Sequence, residues 1–246
     1  MRFFTGLHQP SDARHFASAF ISVNRLRSRR NAFEVGDWIM DSGAFSEIAN
    51  HGYYRHDVDE YAAEIRRWAG NGRLLAAVAQ DYMCEPFMLK KTGLTIDDHQ
   101  RLTIERYDRL IAQDVGGVYV MPVLQGYSPE DYVRHLEMYG ERLAPGQWVG
   151  VGSVCKRNGD PYQIARVLFA IKERRPDLRL HGFGVKTTAL SNQVICSLLE
   201  TADSMAWSFA ARREGRNQND WREAEKWSAV IQNRVATNRN QFQLFD

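Results

Sequence analysis

The chain has 246 residues, of which 44% are hydrophobic and 25% are charged, a composition typical of a folded globular protein. Its formal net charge of +2 excludes a polycation that binds nucleic acid by global charge alone. No apolar run approaches the roughly 20 residues of a membrane span, and Met1 is not followed by a signal-peptide pattern, so we expect a cytoplasmic protein with no membrane partner.

Short apolar segments alternate with amphipathic segments at helical spacing from one end of the chain to the other. Eight of the apolar segments are predicted strands, at residues 3–6, 20–24, 38–42, 75–81, 118–125, 148–153, 178–185 and 202–208. Several are almost entirely apolar, which is typical of parallel strands that are buried on both faces. The start of the chain is ambiguous, because residues 13–27 also fit one long helix.

Helix signals stand between these strands. Predicted helices begin near Asp57, Thr95 and Ser128, each with a polar cap residue and acidic residues in the first turn. A last helix is predicted over residues 220–236, with Trp221 and Trp227 on its packed face. Alternating strands and helices indicate parallel βα units. At this length they favour a compact single (β/α)8 TIM-type barrel, with residues 1–246 as one domain and no zinc subdomain.

Polar and glycine residues follow the predicted strands at the points where the strands end. These residues are Asp41-Ser42-Gly43-Ala44-Phe45, Gln80-Asp81, Gln125-Gly126, Gly150-Val151-Gly152-Ser153, His181-Gly182-Phe183-Gly184-Val185-Lys186 and Asp203. In barrels of this type the chemistry takes place at the carboxyl ends of the strands. The pattern therefore favours a catalytic barrel over a purely structural one.

The residue types at these strand ends suggest individual roles. Asp41, which precedes glycine, suits acid–base work on a bound ring, although it also fits an N-cap. Asp81 can read the donor edge of a purine, and Gln125 its acceptor. The Gly150/Gly152 pair is not a dinucleotide fingerprint, because the third glycine and the later acidic residue are missing.

Arginines cluster in two places. One cluster comprises Arg25, Arg27, Arg29 and Arg30, and the other Arg212, Arg213 and Arg216. The planar guanidinium group binds phosphate in a bidentate manner, so both clusters are candidates for contacts with a nucleic-acid backbone. A solvated charged face is the alternative interpretation of each. Lys186 fits either a phosphate contact or a helix cap.

Metal binding is not expected. Cys84, Cys155 and Cys196 lie far apart without a CxxC pair, and the seven histidines show no metal-ligand spacing. We therefore predict no metal and no cofactor. The same cysteine usage argues against a disulfide framework and is consistent with a reducing compartment.

Five segments together resemble the ordered motifs of a known enzyme family. In chain order they are Asp41-Ser42-Gly43-Ala44-Phe45, Val123-Leu124-Gln125-Gly126, Val149-Gly150-Val151-Gly152-Ser153, Gly182-Phe183-Gly184-Val185, and Ala202-Asp203-Ser204 continuing to Arg212. They resemble the tRNA-guanine transglycosylases, and most closely their DNA-acting relatives, the DpdA-type 7-deazaguanine DNA modification proteins. The resemblance covers about residues 38–216, and the Asp-Ser-Gly-small-Phe motif is its most specific part.

The resemblance implies a role for several residues. Asp41 would be the proton shuttle beside the reacting base, and Asp203 the nucleophile. Asp81 would hold the amino and ring N–H edge of guanine, with Gln125 and the Gly152 backbone at the exocyclic oxygen. The remaining candidates for the base pocket are Ser42, Gly43, Gly126, Ser153, Gly184 and Lys186. An alternative register would place Ala206 at the nucleophile position and give an inactive protein.

Two departures from the tRNA enzymes bear on the substrate. Nothing after Cys196 supplies their cluster of zinc-binding cysteines and histidine, and the chain is shorter, without an appended RNA-binding domain. Both favour a DNA-guanine transglycosylase that inserts a 7-deazaguanine such as the 7-cyano form. The alternatives are a zinc-free RNA or tRNA enzyme and an inactive barrel that binds nucleic acid or base. Expected partners are DNA or RNA and the free base, with accessory DNA-modification proteins as further candidates.

Overall fold

The computed structural model describes residues 1–155 and 160–242. Within them lie nine strands, and every strand pair is parallel. The strands are β1 (Arg2–Gly6), β2 (Ser18–Ser22), β3 (Asp37–Asp41), β4 (Arg73–Val78), β5 (Val120–Met121), β6 (Val123–Leu124), β7 (Trp148–Val151), β8 (Arg179–Gly182) and β9 (Thr201–Ser204). Their order in the sheet is β5-β4-β3-β2-β1-β9-β8-β7-β6.

The sheet forms a nearly closed barrel, and the strands at its two edges are joined in the chain by Pro122. β5 pairs with β4 at one edge of the sheet and β6 pairs with β7 at the other, and only Pro122 separates β5 from β6 in the chain. Proline has no N–H to donate to a strand ladder, but the Pro122 carbonyl still accepts from the Gly150 N–H. The predicted strand 118–125 is thus one barrel strand interrupted by its proline, and the predicted TIM-type α/β barrel is confirmed.

Helices surround the barrel. They are α1 (Ala44–His51), α2 (Val58–Trp68), α3 (Pro86–Thr92), α4 (Ile96–Ile111), α5 (Pro129–Tyr139), α6 (Pro161–Arg174), α7 (Thr187–Leu190), α8 (Gln193–Leu198), α9 (Ala206–Arg213) and α10 (Trp221–Phe242). The starts predicted at Asp57, Thr95 and Ser128 are confirmed, because each of these residues forms a capping box with the acidic residue three positions later. The last helix continues to Phe242, beyond the predicted end at residue 236.

The ambiguous segment near the start of the chain is not one long helix. It contains the strand β2 between two short 3-10 helices, Pro10–His15 and Val23–Arg25. The strands β4, β8 and β9 each end three or more residues before the end of the predicted segment. The residues left over after β4 and β8 form loops, and those left over after β9 lead into α9, which begins at Ala206.

Most of the buried hydrophobic residues form two layers. Inside the barrel a small cluster, which includes Phe4, Ile39 and Met121, fills the space between the strands. A much larger cluster lies between the barrel and the helices. As predicted, the last helix packs on the barrel: the Trp227 ring lies 5.6 Å from that of Phe3, centroid to centroid. In the described residues no helix combines the length and the apolar character required to cross a membrane.

Candidate active site

A cavity of about 660 Å³ opens at the carboxyl ends of the strands, and nine of the predicted site residues line it. They are Arg25, Arg27, Asp41, Asp81, Gln125, Gly152, Ser153, Gly184 and Asp203. The barrel brings them close together because they lie at the carboxyl ends of parallel strands or in the segments that follow those ends. The predicted residues that do not line this cavity are Ser42, Gly43, Gly126, Lys186, Arg29, Arg30, Arg212, Arg213 and Arg216.

Asp203 lies in β9 with only 6% of its surface exposed. Its Oδ1 accepts two hydrogen bonds, one from His181 Nε2 at 3.2 Å and one from the Gly184 N–H at 3.1 Å. Among the described residues, Oδ2 has no hydrogen-bond partner. One oxygen is therefore fixed, and the other remains available to a ligand in the cavity.

His181 belongs to a buried hydrogen-bond chain that leads to Asp203. The Trp148 indole N–H donates to Thr201 Oγ1 at 2.8 Å, and Thr201 Oγ1 lies 2.8 Å from His181 Nδ1. Because Nε2 faces a carboxylate oxygen, it is the nitrogen that carries the hydrogen, and Nδ1 then accepts from the threonine hydroxyl. Sequence reasoning gave His181 no role; its position opposite Thr201 in the β8–β9 register is visible only in the fold.

Asp41 is the last residue of β3. Its Oδ2 accepts from the Gly43 N–H at 3.1 Å. Gly43 has a φ of +74°, and a Cβ there would collide with the Asn24 side chain, so the turn requires glycine. The pKa of Asp41 is raised to about 6: burial is the main cause and the negative charge of Asp203 acts in the same direction, whereas hydrogen bonds from Ser22 and the Gly43 N–H oppose it. Near neutral pH this carboxyl group can both donate and accept a proton.

Asp81 follows β4 and is 6% exposed. Burial raises its pKa to about 7, and the charges of Asp41 and Glu85 act in the same direction, whereas a hydrogen bond from Gln125 opposes them. That bond runs from Gln125 Nε2 to Asp81 Oδ2. The Asp81 carbonyl also accepts from the Tyr54 hydroxyl at 2.6 Å.

The polar groups of Asp81 and Gln125 continue into two more side chains. Ser153 Oγ lies 2.7 Å from Gln125 Oε1 and 2.9 Å from Glu85 Oε2, and it accepts from the Cys84 N–H at 2.9 Å. Ser153 has a φ of +54°, which is rare for a residue other than glycine. Glu85 is 2% exposed and lines the cavity, but sequence reasoning missed it because it stands at the start of α3, beyond the strand end.

The predicted glycines and Ser42 differ in what they do. A Cβ on Gly152 would collide with the Gln125 amide, so this glycine lets the backbone approach the amide side chain. A Cβ on Gly126 would instead meet Asp131 and Tyr132, so Gly126 allows the close packing of α5. Ser42 is buried, and its hydroxyl has no hydrogen-bond partner in the described residues.

Two of the four arginines in the first cluster line the cavity, and two do not. Arg25 and Arg27 line it, and Arg27 Nε is buried without a hydrogen-bond partner in the part of the chain that the structure describes. Arg29 instead donates to the Asn31 carbonyl and lies over the Phe33 ring, and Arg30 is exposed.

The second cluster lies away from the cavity. Arg216 forms ion pairs with Glu214 and Glu223. Arg212 and Arg213 lie over the half-exposed Phe209 ring, with their guanidinium carbons 5.3 and 5.9 Å from its centroid. The Lys186 ammonium group lies 5.9 Å from the same centroid, and its side chain does not cap α7.

Aromatic residues near the strand ends are candidate stacking partners for a base. Phe45 lines the cavity and is 44% exposed. Tyr82 and Trp207 are buried, and Trp207 donates its indole N–H to the Gly6 carbonyl. Only Phe45 of the three is therefore accessible from the cavity. Within residues 1–155 and 160–242, no group of three or more His, Cys, Asp or Glu residues is arranged to hold a metal ion.

Comparison with known proteins places this site in a family context. The family model DpdA, described as DeoxyPurine in DNA protein A, matches residues 1–242. The match covers every residue that lines the cavity. No curated protein matches the chain.

Proposed function

The chain belongs to the DpdA family, and from this premise we propose that it is a DNA-guanine transglycosylase that exchanges guanine in DNA for a 7-deazaguanine. Family membership supports the coarser part, a transglycosylase role in DNA modification with DNA as the substrate. The finer part, the identity of the bases and the covalent mechanism, rests on the geometry of the cavity.

The first half of the reaction breaks the bond between the sugar and guanine. Asp203 Oδ2 attacks C1′ on the face opposite the base, and the electrons of the C1′–N9 bond move to guanine. Asp41 gives its proton to the departing base, because its raised pKa of about 6 leaves a fraction of it protonated near neutral pH. The developing positive charge on the sugar is stabilised by the Asp203 carboxylate, as in retaining glycosidases.

The second half reverses these events with a different base. Asp41, now ionised, accepts the N9 proton of the incoming 7-deazaguanine, and N9 attacks C1′. The ester bond to Asp203 breaks, and its electrons return to the carboxylate. Two inversions at C1′ retain its configuration. Both bases use one pocket in turn, so the exchange follows ping-pong kinetics.

Guanine fits the polar groups of the cavity. Its N1–H and N2 amino group are donors and its O6 is an acceptor. Asp81 provides the acceptor oxygens, and the second amide hydrogen of Gln125 is available for O6, because the first is donated to Asp81. The target base must leave the helical stack to reach this cavity, which costs a few kcal/mol in a duplex. Phe45 at the cavity surface can stack on the extruded base.

Arg25 and Arg27 are the arginines best placed to hold the phosphates beside the target nucleotide. Both line the cavity, and the buried Arg27 Nε has a hydrogen to donate but no acceptor among the described residues. Arg212 and Arg213, near Lys186 and Phe209, would contact the strand at a greater distance from the cavity.

One observation carries the proposal: Asp203, with an available Oδ2, and Asp41 line the same cavity. The negative charge of Asp203 contributes to the raised pKa of Asp41. The position of Asp203 in the cavity also supports the register that assigns the nucleophile to Asp203 rather than to Ala206, which does not line the cavity and begins α9. The test is exchange of labelled guanine into DNA. Asp203→Ala should abolish exchange and retain the circular dichroism of the folded protein, whereas exchange at the wild-type rate would refute the assignment.

A further inference from the structure

Two exposed phenylalanines lie side by side at the rim of the cavity, and the proposed reaction uses only one of them. Phe45 of α1 lines the cavity, whereas Phe87 of α3 does not and is 43% exposed. The two rings meet edge to face, with their centroids 6.0 Å apart. A single exposed aromatic residue is common on a protein surface. Here two of them form one apolar surface that begins in the cavity and continues outside it.

Two lysines extend this surface along α3. Lys90 and Lys91 follow Phe87 by three and four positions, so the three side chains lie on the same face of the helix. Both lysines are exposed, and neither forms an ion pair within the part of the chain that the structure describes. Two positive charges thus stand beside an exposed ring. Proteins bind nucleic-acid strands with this combination, in which the cations follow the phosphates and the ring stacks on a base.

The surface is held in place from within the protein. Met88 of α3 packs in a buried cluster with Ala44 of α1, which fixes the two helices relative to each other. The Glu85 carboxylate, directly before α3, accepts a hydrogen bond from the Ser153 hydroxyl at 2.9 Å. Phe87 therefore stands at a defined position beside the cavity, and little ordering is required when it binds a ligand.

The ligand that fits this surface is the DNA that flanks the target guanine. A guanine that leaves the duplex to enter the cavity breaks its stacking with the neighbouring base, which costs free energy. An apolar side chain just outside the cavity can replace the departed base, as the apolar wedges of proteins that unstack duplex DNA do. The phosphates of the same flank carry the charge that Lys90 and Lys91 complement.

We propose that Phe87 stacks on the base next to the extruded guanine, and that Lys90 and Lys91 bind the phosphates on that side of it. This inference rests on the proposed exchange reaction, because only a guanine that leaves the stack uncovers its neighbour. Phe87 stabilises the opened duplex, whereas the cavity reads the base. The contribution of Phe87 is therefore to duplex DNA and not to the free base.

The first test is Phe87→Ala, assayed for binding and for exchange of labelled guanine. The loss of one base–aromatic stack should weaken duplex binding by roughly 5- to 150-fold and reduce kcat/KM on duplex DNA by a similar factor. The loss should be several times smaller on the same strand without its complement, because the guanine then leaves no paired stack. Binding of free 7-deazaguanine should be unchanged, and Phe87→Tyr, which retains a ring, should behave as the wild type.

Phe169→Ala is the matched control. Phe169 lies on α6, is 53% exposed and does not line the cavity. Its variant should bind and exchange as the wild type does.

The second test replaces Lys90 and Lys91 together by alanine. The slope of log K for DNA binding against log salt concentration should decrease by about one to two. This measurement decides the phosphate contacts even if Phe87→Ala fails to fold, as circular dichroism would reveal.

The outcomes separate the two proposals. A wild-type protein that binds duplex DNA through this surface but exchanges no guanine would overturn the proposed function. Exchange with unchanged duplex binding in Phe87→Ala, or with an equal loss on single strands, would overturn this inference alone. An unchanged salt slope in the lysine variant would overturn the phosphate contacts in the same way.

Discussion

Replacing Asp81 by asparagine should stabilise the protein at pH 8, although it removes a carboxylate that we propose binds the base. The asparagine side chain has nearly the same shape as the aspartate, and its oxygen can still accept from Gln125 Nε2. What the substitution removes is a buried negative charge in a cavity that contains further carboxylates. Sites of this kind commonly sacrifice stability for function.

The magnitude follows from the pKa. Folding raises the pKa of Asp81 from 3.8 to about 7, a difference of roughly 3, and each pKa unit corresponds to about 1.4 kcal/mol. The folded protein therefore binds more protons than the unfolded chain between pH 4 and 7, and its stability falls as the pH rises through this window. Above pH 7 the charge costs up to about 4 kcal/mol, which the asparagine variant recovers in part or in full.

Urea unfolding at pH 8 and pH 5, followed by tryptophan fluorescence, measures this effect. The variant should exceed the wild type by about 1–4 kcal/mol at pH 8, and by less than half of that difference at pH 5. Asp37→Asn is a control of opposite sign, because hydrogen bonds from Arg73 and Arg2 hold the pKa of Asp37 below its usual value; it should destabilise at pH 8. A variant of Asp81 that is no more stable than the wild type at pH 8 would refute the reasoning.

Three further predictions concern the reaction. Single-turnover release of guanine should slow about tenfold for each pH unit above about 6, because the proton on Asp41 is lost there, and Asp41→Asn should abolish this dependence. His181→Ala should slow that step by roughly 10- to 100-fold and change the KM for DNA little, because the Asp203 carboxylate loses a hydrogen bond that holds it in position. A change in KM alone would contradict this positioning role of His181. Replacing Arg25 and Arg27 together by alanine should reduce the slope of log K for DNA binding against log salt concentration by about one to two, and should leave free-base binding unchanged. An unchanged slope would show that these arginines do not contact the phosphates.

Much of the site could be predicted from the sequence, because chemistry in such barrels takes place at the carboxyl ends of the strands. Asp41, Gln125 and Asp203 are far apart in the chain, yet the nearly closed parallel barrel brings the carboxyl ends of its strands to one rim. The apolar runs and capping residues that define these strands and helices are local signals. For this reason the barrel fold and part of the lining of the cavity could be predicted from the sequence.

Contacts between distant residues could not be predicted in this way. His181 reaches Asp203 because β8 and β9 are neighbours in one particular register. Glu85 reaches Ser153, 68 residues later in the chain, across the top of the barrel. Neither residue has a neighbouring sequence signal of its role. Charge clusters were ambiguous for the same reason, because ion pairing of Arg216 with Glu223 depends on how α10 packs.

The most direct test of the account is to isolate the covalent intermediate. The wild-type protein is mixed with guanine-containing DNA and denatured during turnover, and the protein–DNA adduct is digested and mapped by mass spectrometry. A deoxyribose ester is expected on the peptide that contains Asp203; it should be absent from Asp203→Ala and should be discharged when free 7-deazaguanine is added before denaturation. An adduct on another residue, or its persistence in Asp203→Ala, would contradict the assignment of Asp203 as the nucleophile.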